Sequence, residues 1–342
     1  MKKLFLLLYL LPLMLFAQKS SWPIYRGNAA LQGISQAAIP NDLEVKWTFK
    51  AMDMIKSSAV FGEDLIFIGD NGGNLYALDE RGAEVWKFTT ETSFEAAPMY
   101  LDGLVYIGSV EGIMFALDAQ TGEEKWRYVT EGQLSGSANW AHSSDPKTKQ
   151  IIFGSYDFFL HSLDAKSGTL LWKYETDNYI NGAAAIYKNL AVFGGCDGNL
   201  HLVDVYTGKV ADKINIGTYI ASSAAIENKY AYVGNYDGAF FKVDLEELKV
   251  IWTNEQTGSY VGSPATSKKV AIIGSQNRYV YAFDLESGSV KWKFKTLRKV
   301  ESSPIIAKDK VIITSTDGRL YLLNLEDGEK IWSYEIGSPI IG

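Results

Sequence analysis

The chain has 342 residues, a formal net charge of −7, 47% hydrophobic residues and a single cysteine, Cys196. Its basic residues are scattered singly, which argues against a nucleic-acid surface, and one cysteine excludes an internal disulfide framework. Length alone would suggest two domains, but a repeat running from residue 45 to 342 without a composition break points to one large domain spanning residues 18–342.

The first residues, MKKLFLLLYLLPLMLFAQ, place Lys2 and Lys3 before an apolar run and a small Ala17. This pattern reads as a signal peptide covering residues 1–17, so the mature chain is expected in the periplasm or outside the cell. The run is too short for a convincing membrane span, and the absence of a cysteine near the cleavage point argues against a lipid anchor. No stable membrane insertion is expected after signal removal, and the mature protein is expected to be monomeric.

From residue 45 onward, Trp47, Trp86, Trp126, Trp172, Trp252, Trp292 and Trp332 recur at about forty residues or twice that, with Asp212 in the slot where a tryptophan is missing. A period near forty marks stacked blades or a solenoid. Within each copy the first apolar run opens on small residues, such as Ser57-Ser58-Ala59 and Ser302-Ser303-Pro304, which suit strands converging on a crowded axis. The second run, for example LIFIG at residues 65–69, is apolar throughout and reads as a strand covered on both faces. Turn signals follow, including Asp197-Gly198 and Asp317-Gly318. The third run ends in Asp or Asn, positioned to cap the next turn, and the fourth carries the tryptophan.

Four short strands per copy predict an all-β propeller of about seven four-stranded blades. Each indole is expected to lie against the next blade and donate its N–H to a backbone carbonyl there. Asp212 cannot supply that apolar area, so the junction it faces is expected to be weak unless a neighbour compensates. The extra tryptophan segment at Val45 to Phe49 leaves an alternative of eight positions, the eighth built from residues 22–50 and Ser338 to Ile341.

The segments LDAQTGEEKW, LDAKSGTLLW and FDLESGSVKW, together with the opening WPIYRGNAALQGIS and LEVKWTF, resemble the pyrroloquinoline-quinone (PQQ) repeat β-propeller family over residues 22–342. That resemblance implies the propeller fold. The family includes quinone-dependent dehydrogenases, which hold PQQ with calcium, and non-catalytic relatives similar to the propeller lipoprotein of outer-membrane β-barrel assembly. The dehydrogenases use adjacent cysteines against the quinone; this chain has none. No cofactor is therefore expected, and PQQ with calcium stands only as what the resemblance implies.

Function in such a ring is expected on the face formed by the loops between blades and the hairpins joining second and third strands. Four aromatic residues precede inner strands there and are candidates to line the channel mouth: Phe94, Tyr179, Tyr219 and Tyr260. Glu95 and Glu301 each lie nine residues after a tryptophan, with Lys56 expected between them. The third copy alone carries six extra residues, and Trp140 and His142 stand in its otherwise aliphatic first strand. The inserted SSDPKTK falls on the opposite face. His161 and His201 occupy equivalent third-strand positions and read as packing residues rather than as metal ligands. No catalytic residue and no metal site are assigned. The leading expectation is a non-enzymatic exported binding module that takes a protein or a carbohydrate on its channel face. The alternatives are a PQQ-binding component of a periplasmic oxidoreductase and an accessory protein of polysaccharide degradation.

Overall fold

The computed structural model describes residues 21–255 and 258–341, so the signal-peptide stretch lies outside the described residues. The four apolar runs of each copy become four antiparallel strands, and seven such sheets form a seven-bladed propeller. Blade 1 is Val60–Gly62, Leu65–Gly69, Asn74–Leu78 and Glu84–Thr89; blade 2 runs from Met99–Leu101 to Glu124–Val129. Blades 3 to 6 open at Asn139–His142, Ala185–Tyr187, Ala225–Glu227 and Ala265–Thr266, and blade 7 spans Ile305–Ala307 to Lys330–Glu335. Among the described residues, no helix is long and apolar enough to cross a membrane.

The Asp or Asn at the end of the third strands caps the turn that follows: Asp118 Oδ1 accepts from the backbone N–H of Gln120 and Thr121, and Asp164, Asp204, Asp284 and Asn324 accept from backbone N–H groups in their own turns. The glycine that follows adopts positive φ, and the tryptophan of the preceding outer strand lies flat upon it. A Cβ on Gly122, Gly168, Gly208, Gly288 or Gly328 would meet an indole at 2.5–2.8 Å. Each of these indoles donates to the next blade, as Trp86 Nε1 does to the Ala119 carbonyl (2.9 Å) and Trp292 Nε1 to that of Leu325 (3.0 Å).

Asp212 breaks this device, and its partner turn changes with it. The position that is glycine elsewhere is Leu248, at φ 54°, because no indole needs the space. The junction is compensated by a polar bridge in which Glu246 accepts from Tyr187 Oη and Lys188 Nζ of the preceding blade (2.9 and 2.7 Å). Apolar packing between Leu202, Ile214 and Ile216 on one side and Val243 and Leu245 on the other completes it.

The N-terminal segment, which the eight-position alternative places in an eighth blade, instead runs around the channel. Its carbonyls accept from the second residue of nearly every innermost strand. Phe61 bonds to Trp22, Tyr100 to Pro23, Ile186 to Ala29, Ile226 to Ala30, Thr266 to Gln32 and Ile306 to Gly33, at 2.7–2.9 Å. In blade 3 the equivalent Trp140 N–H turns to the Asn139 Oδ1, and Asn139 Nδ2 bridges the Ala29 and Ala184 carbonyls, both at 2.8 Å. The segment ends with Ile34–Ser35 as a fifth, parallel strand against blade 7.

This threading decides the blade count. Residues 22–35 are committed to the channel, so the eight-position alternative is not realised as written. Val45 to Phe49, read from the sequence as an outer strand, joins no sheet among the described residues. Even so, Trp47 docks on the blade 1 turn, donating to the Glu80 carbonyl (2.9 Å), and Phe49 packs edge-on against Tyr76. Trp332, expected to dock like the other six tryptophans, has no acceptor among the described residues and stacks on its own neighbour Tyr334 instead. Trp47 already holds the turn it would need.

Six clusters of buried side chains fill the six junctions from blade 1|2 to blade 6|7. No such cluster spans blade 7 and blade 1 among the described residues. There the ring is held by the N-terminal segment, which bonds to both sides.

Candidate functional site

The small residues that open each first strand converge on the axis as anticipated, and their hydroxyls link neighbouring blades. Ser137 Oγ accepts from Ala97 N–H, Ser223 from Ala183, Ser263 from Ser223 and Ser303 from Ser263, at 2.8–3.1 Å. Tyr25, carried into the channel by the N-terminal segment, closes it from below with its hydroxyl against Ser263 and Ser303 (3.2 and 2.9 Å). The channel is thereby a blind polar cup of about 180 Å3.

The cup's rim brings together the charged residues singled out from the sequence. Lys56 pairs with Glu95 at 2.6 Å, both partly exposed, and Glu301 accepts from Gln276 Nε2 (2.8 Å) at the same rim. Asn181, Ile341 and the buried hydroxyl of Ser222, which has no partner among the described residues, complete the lining. Glu95 is thus paired with a cation, and Glu301 accepts from an amide. The arrangement suits recognition of polar groups.

The aromatic candidates divide. Tyr179 is 44% exposed and stacks on Tyr156 (4.7 Å between centroids) and beside Phe158; Tyr219 stacks on Tyr236 at 4.4 Å. Tyr156, Phe158 and Tyr236 are hairpin residues that the sequence reading did not single out. The recurrence of an aromatic eighty residues apart, at 156 and 236, was the available signal. Phe94 and Tyr260 are corrected. Both are fully buried between blades, against Phe115 and against Phe240 and Tyr281 respectively, because their side chains turn into the junction cores rather than towards the mouth. Burial pushes the Tyr260 hydroxyl's pKa well up, and the hydroxyl has no partner among the described residues.

Trp140 and His142 lie at the far end of the blade 3 inner strand, beside the inserted loop, and so are separated from the cup. His142 is exposed and packs edge-on against Trp140, which also receives Lys149 Nζ over its ring at 4.8 Å. Lys149 in turn pairs with Asp102 of blade 2 (2.7 Å), anchoring the insertion to its neighbour.

His161 and His201 are buried in separate blades and serve the same structural role. Nε2 of His201 lies 2.9 Å from Asp197 and Nδ1 lies 3.2 Å from the Tyr174 hydroxyl; His161 is held likewise by Asp157 and Tyr128. Blades 1 and 7 use Tyr76 with Asp70 and Tyr321 with Asp317 for the same bond (2.8 and 2.7 Å). Burial works against the Asp197 carboxylate, but the His201 bond and the Asn199 amides outweigh it and hold the group at about 2. Cys196 is half-buried with its thiol pushed up by desolvation, and it receives the Asn181 amide at 2.9 Å.

A quinone with calcium does not fit these residues. Small side chains dominate the lining of the cup, whose volume is only about 180 Å3; Tyr25 is held at its base by Ser263 and Ser303, and Phe94 and Tyr260 are sealed in the cores. Among the described residues, no group of three or more His, Cys, Asp or Glu is placed to hold a metal.

Residues 38–179, 147–294 and 221–341 match the sequence profile of the family described as outer membrane protein assembly factor BamB. No curated protein matches the chain. Among solved structures, BamB from Moraxella catarrhalis is 21% identical, with a TM-score of 0.71 over 83% of this chain and 86% of that one. A europium-containing methanol dehydrogenase is 12% identical, with a TM-score of 0.78 over 94% and 86%. The quinohemoprotein alcohol dehydrogenase of Comamonas testosteroni is 13% identical, with a TM-score of 0.82 over 95% and 74%. At these identities the structural likenesses establish the fold alone, and they fall both on BamB and on dehydrogenases.

Proposed function

The chain belongs to the outer membrane protein assembly factor BamB family, and from that premise we propose that it is an exported, non-enzymatic binding module that engages a protein partner on its channel face. The observation that carries this reading is the makeup of that face. Exposed apolar and aromatic side chains, Met52, Met54, Tyr179, Tyr236 and Leu297, surround a polar cup whose rim holds the Lys56–Glu95 pair and Glu301. An apolar periphery around a few fixed polar groups is the composition of a protein-recognition surface. Tyrosine stacked on tyrosine supplies rigid contact area at little cost in side-chain entropy. The family name supports a place in the envelope, and the signal-peptide pattern read in residues 1–17 supports export to the periplasm or cell exterior.

The test is site-specific photo-crosslinking in the native envelope. A benzophenone at Tyr179 or Tyr236 is expected to capture a discrete protein partner, while one at Val210, on an outer strand remote from the cup, captures none. Uniform labelling from all three sites would reject the channel face as the binding surface. Titration of purified protein with PQQ and calcium separates the oxidoreductase alternative, which requires a stoichiometric change in absorbance. A glycan array separates the polysaccharide alternative, which requires binding that is lost in Tyr179→Ala with Tyr219→Ala.

A further inference from the structure

The third copy departs from the repeat between its first and second strands, and the departure walls a pocket. In blades 1, 2, 4, 5 and 7 those strands are joined by two residues, as by Asp102 and Gly103 in blade 2; in blade 3 six residues, 143–148, take that place. They fold on themselves. Ser143 N–H bonds to the Thr148 carbonyl, Thr148 N–H to that of Asp145 and Lys147 N–H to the Asp145 Oδ1, each at 3.0 Å. Lys149 fixes the base of the loop, its Nζ lying 2.7 Å from Asp102 of blade 2 and 4.8 Å from the centre of the Trp140 ring.

Between this loop and blade 2 lies a pocket of about 550 Å3. Its floor is apolar: Leu101, Tyr106 and Ala165 are buried and Leu104 is half-buried. The Tyr106 hydroxyl is satisfied within the fold, donating to the Ala165 carbonyl (3.0 Å). The rim is cationic. Four lysines line the pocket against two aspartates, a local excess of positive charge in a chain whose net charge is −7. Lys149 is paired with Asp102, and Lys125 with Glu123 at 2.7 Å. Lys147 and Lys166 are exposed and have no ion-pair partner among the described residues. The equivalent gap between blades 6 and 7 also carries lysines, but its apolar lining is reduced to Val270 and Leu325.

We propose that this pocket binds a free single-chain carboxylate, its hydrocarbon body on Leu101, Leu104 and Tyr106 and its head between Lys147 and Lys166. An apolar floor below unpaired ammonium groups matches an amphipathic anion, since the body leaves water while the head keeps charge-assisted hydrogen bonds. Asp102 and Asp164 on the same lining oppose a second negative charge, so a monoanion fits better than a dianion. The volume is that of a small-molecule site, which spans roughly 300–1,000 Å3. The pocket lies on the opposite side of the ring from the mouth of the cup and is independent of the channel-face reading.

The probe is octanoate, titrated into the purified mature protein by calorimetry. Expected are saturable one-to-one binding and a loss of about fourfold in affinity for each methylene removed on passing to hexanoate. Octanol, which lacks the charge, is expected to bind about tenfold more weakly or worse. Lys147→Glu with Lys166→Glu is expected to weaken octanoate binding by about tenfold or more while leaving the melting temperature nearly unchanged, since both side chains are exposed. Should the double variant unfold, Lys147→Gln and Lys166→Gln are read singly, each with a smaller loss of affinity. Lys268→Glu with Lys308→Glu, in the gap between blades 6 and 7, is expected to leave binding unchanged. The proposal is overturned by absence of binding, by equal binding of octanol, by binding insensitive to the Lys147 and Lys166 substitutions, or by loss of binding in the Lys268 and Lys308 variant.

Discussion

Trp47 lies on Gly82, donating its indole N–H to the adjacent Glu80 carbonyl at 2.9 Å, and so holds the blade 1 turn that Trp332 would otherwise reach. The contact ties a segment belonging to no sheet into the ring's docking pattern. It leaves the last tryptophan of the ladder with only Tyr334 for company.

A docked and an undocked tryptophan should therefore differ energetically. Trp86→Ala removes a buried indole and leaves the Ala119 carbonyl without its donor, so a loss of about 3–5 kcal/mol is expected. Trp332→Ala removes a half-exposed ring with no acceptor and should cost less than about 1 kcal/mol. Urea unfolding of both variants measures the contrast, and equal losses would contradict the docking account.

Glycine is required in the turns because the indole occupies the space of a Cβ. At Gly168 that Cβ would come within 2.6 Å of Trp126 at φ +71°, whereas at Gly103, φ +83°, nothing lies within 4 Å. Gly103→Ala should cost about 1 kcal/mol from backbone conformation alone, and Gly168→Ala at least twice as much. Leu248→Gly, at the turn with no tryptophan, should not stabilise its junction; the same denaturation curves decide.

Asn139 supplies three hydrogen bonds where blade 3 lacks the direct bond to the threading segment. Asn139→Ala leaves the buried Ala184 carbonyl without its donor and removes one of two donors from the Ala29 carbonyl, which Ile186 N–H still serves, and a loss of about 1–3 kcal/mol is expected. Amide exchange should accelerate at the N–H groups bonded to residues 22–33, such as Ile186 and Ile226, more than in the outer strands. Uniform acceleration would mean that the threading segment does not clasp the ring.

The Asp197–His201 pair sets an acid limit. The folded carboxyl lies at about 2, below its ordinary 3.8, so its contribution is present above pH 4 and is lost as the pH falls from about 4 to 2. The melting temperature of Asp197→Asn should therefore converge on that of the parent chain as the pH drops through this window. A constant offset from pH 5 to pH 2 would reject the assignment.

The sequence by itself determined the repeated unit, because its chemistry is local. A tryptophan every forty residues, a turn-capping Asp, small residues at the strand entry and Asp-Gly hairpins each act within one blade or between neighbours. The tertiary structure decided what closure does with the parts that do not repeat. Nothing local in WPIYRGNAALQGIS foretells that its carbonyls would serve blade after blade around the axis, since its partners lie between about forty and 270 residues away and share no pattern with it. Tyr179 and Tyr219 lie seven residues after their tryptophan slot and Phe94 and Tyr260 eight, the position that Leu134, Ile180, Ile220 and Val300 hold in other copies, but only the packed neighbouring blades show that this eighth position is buried. Which way a side chain points depends on the blade packed beside it, and that packing exists only in the closed ring.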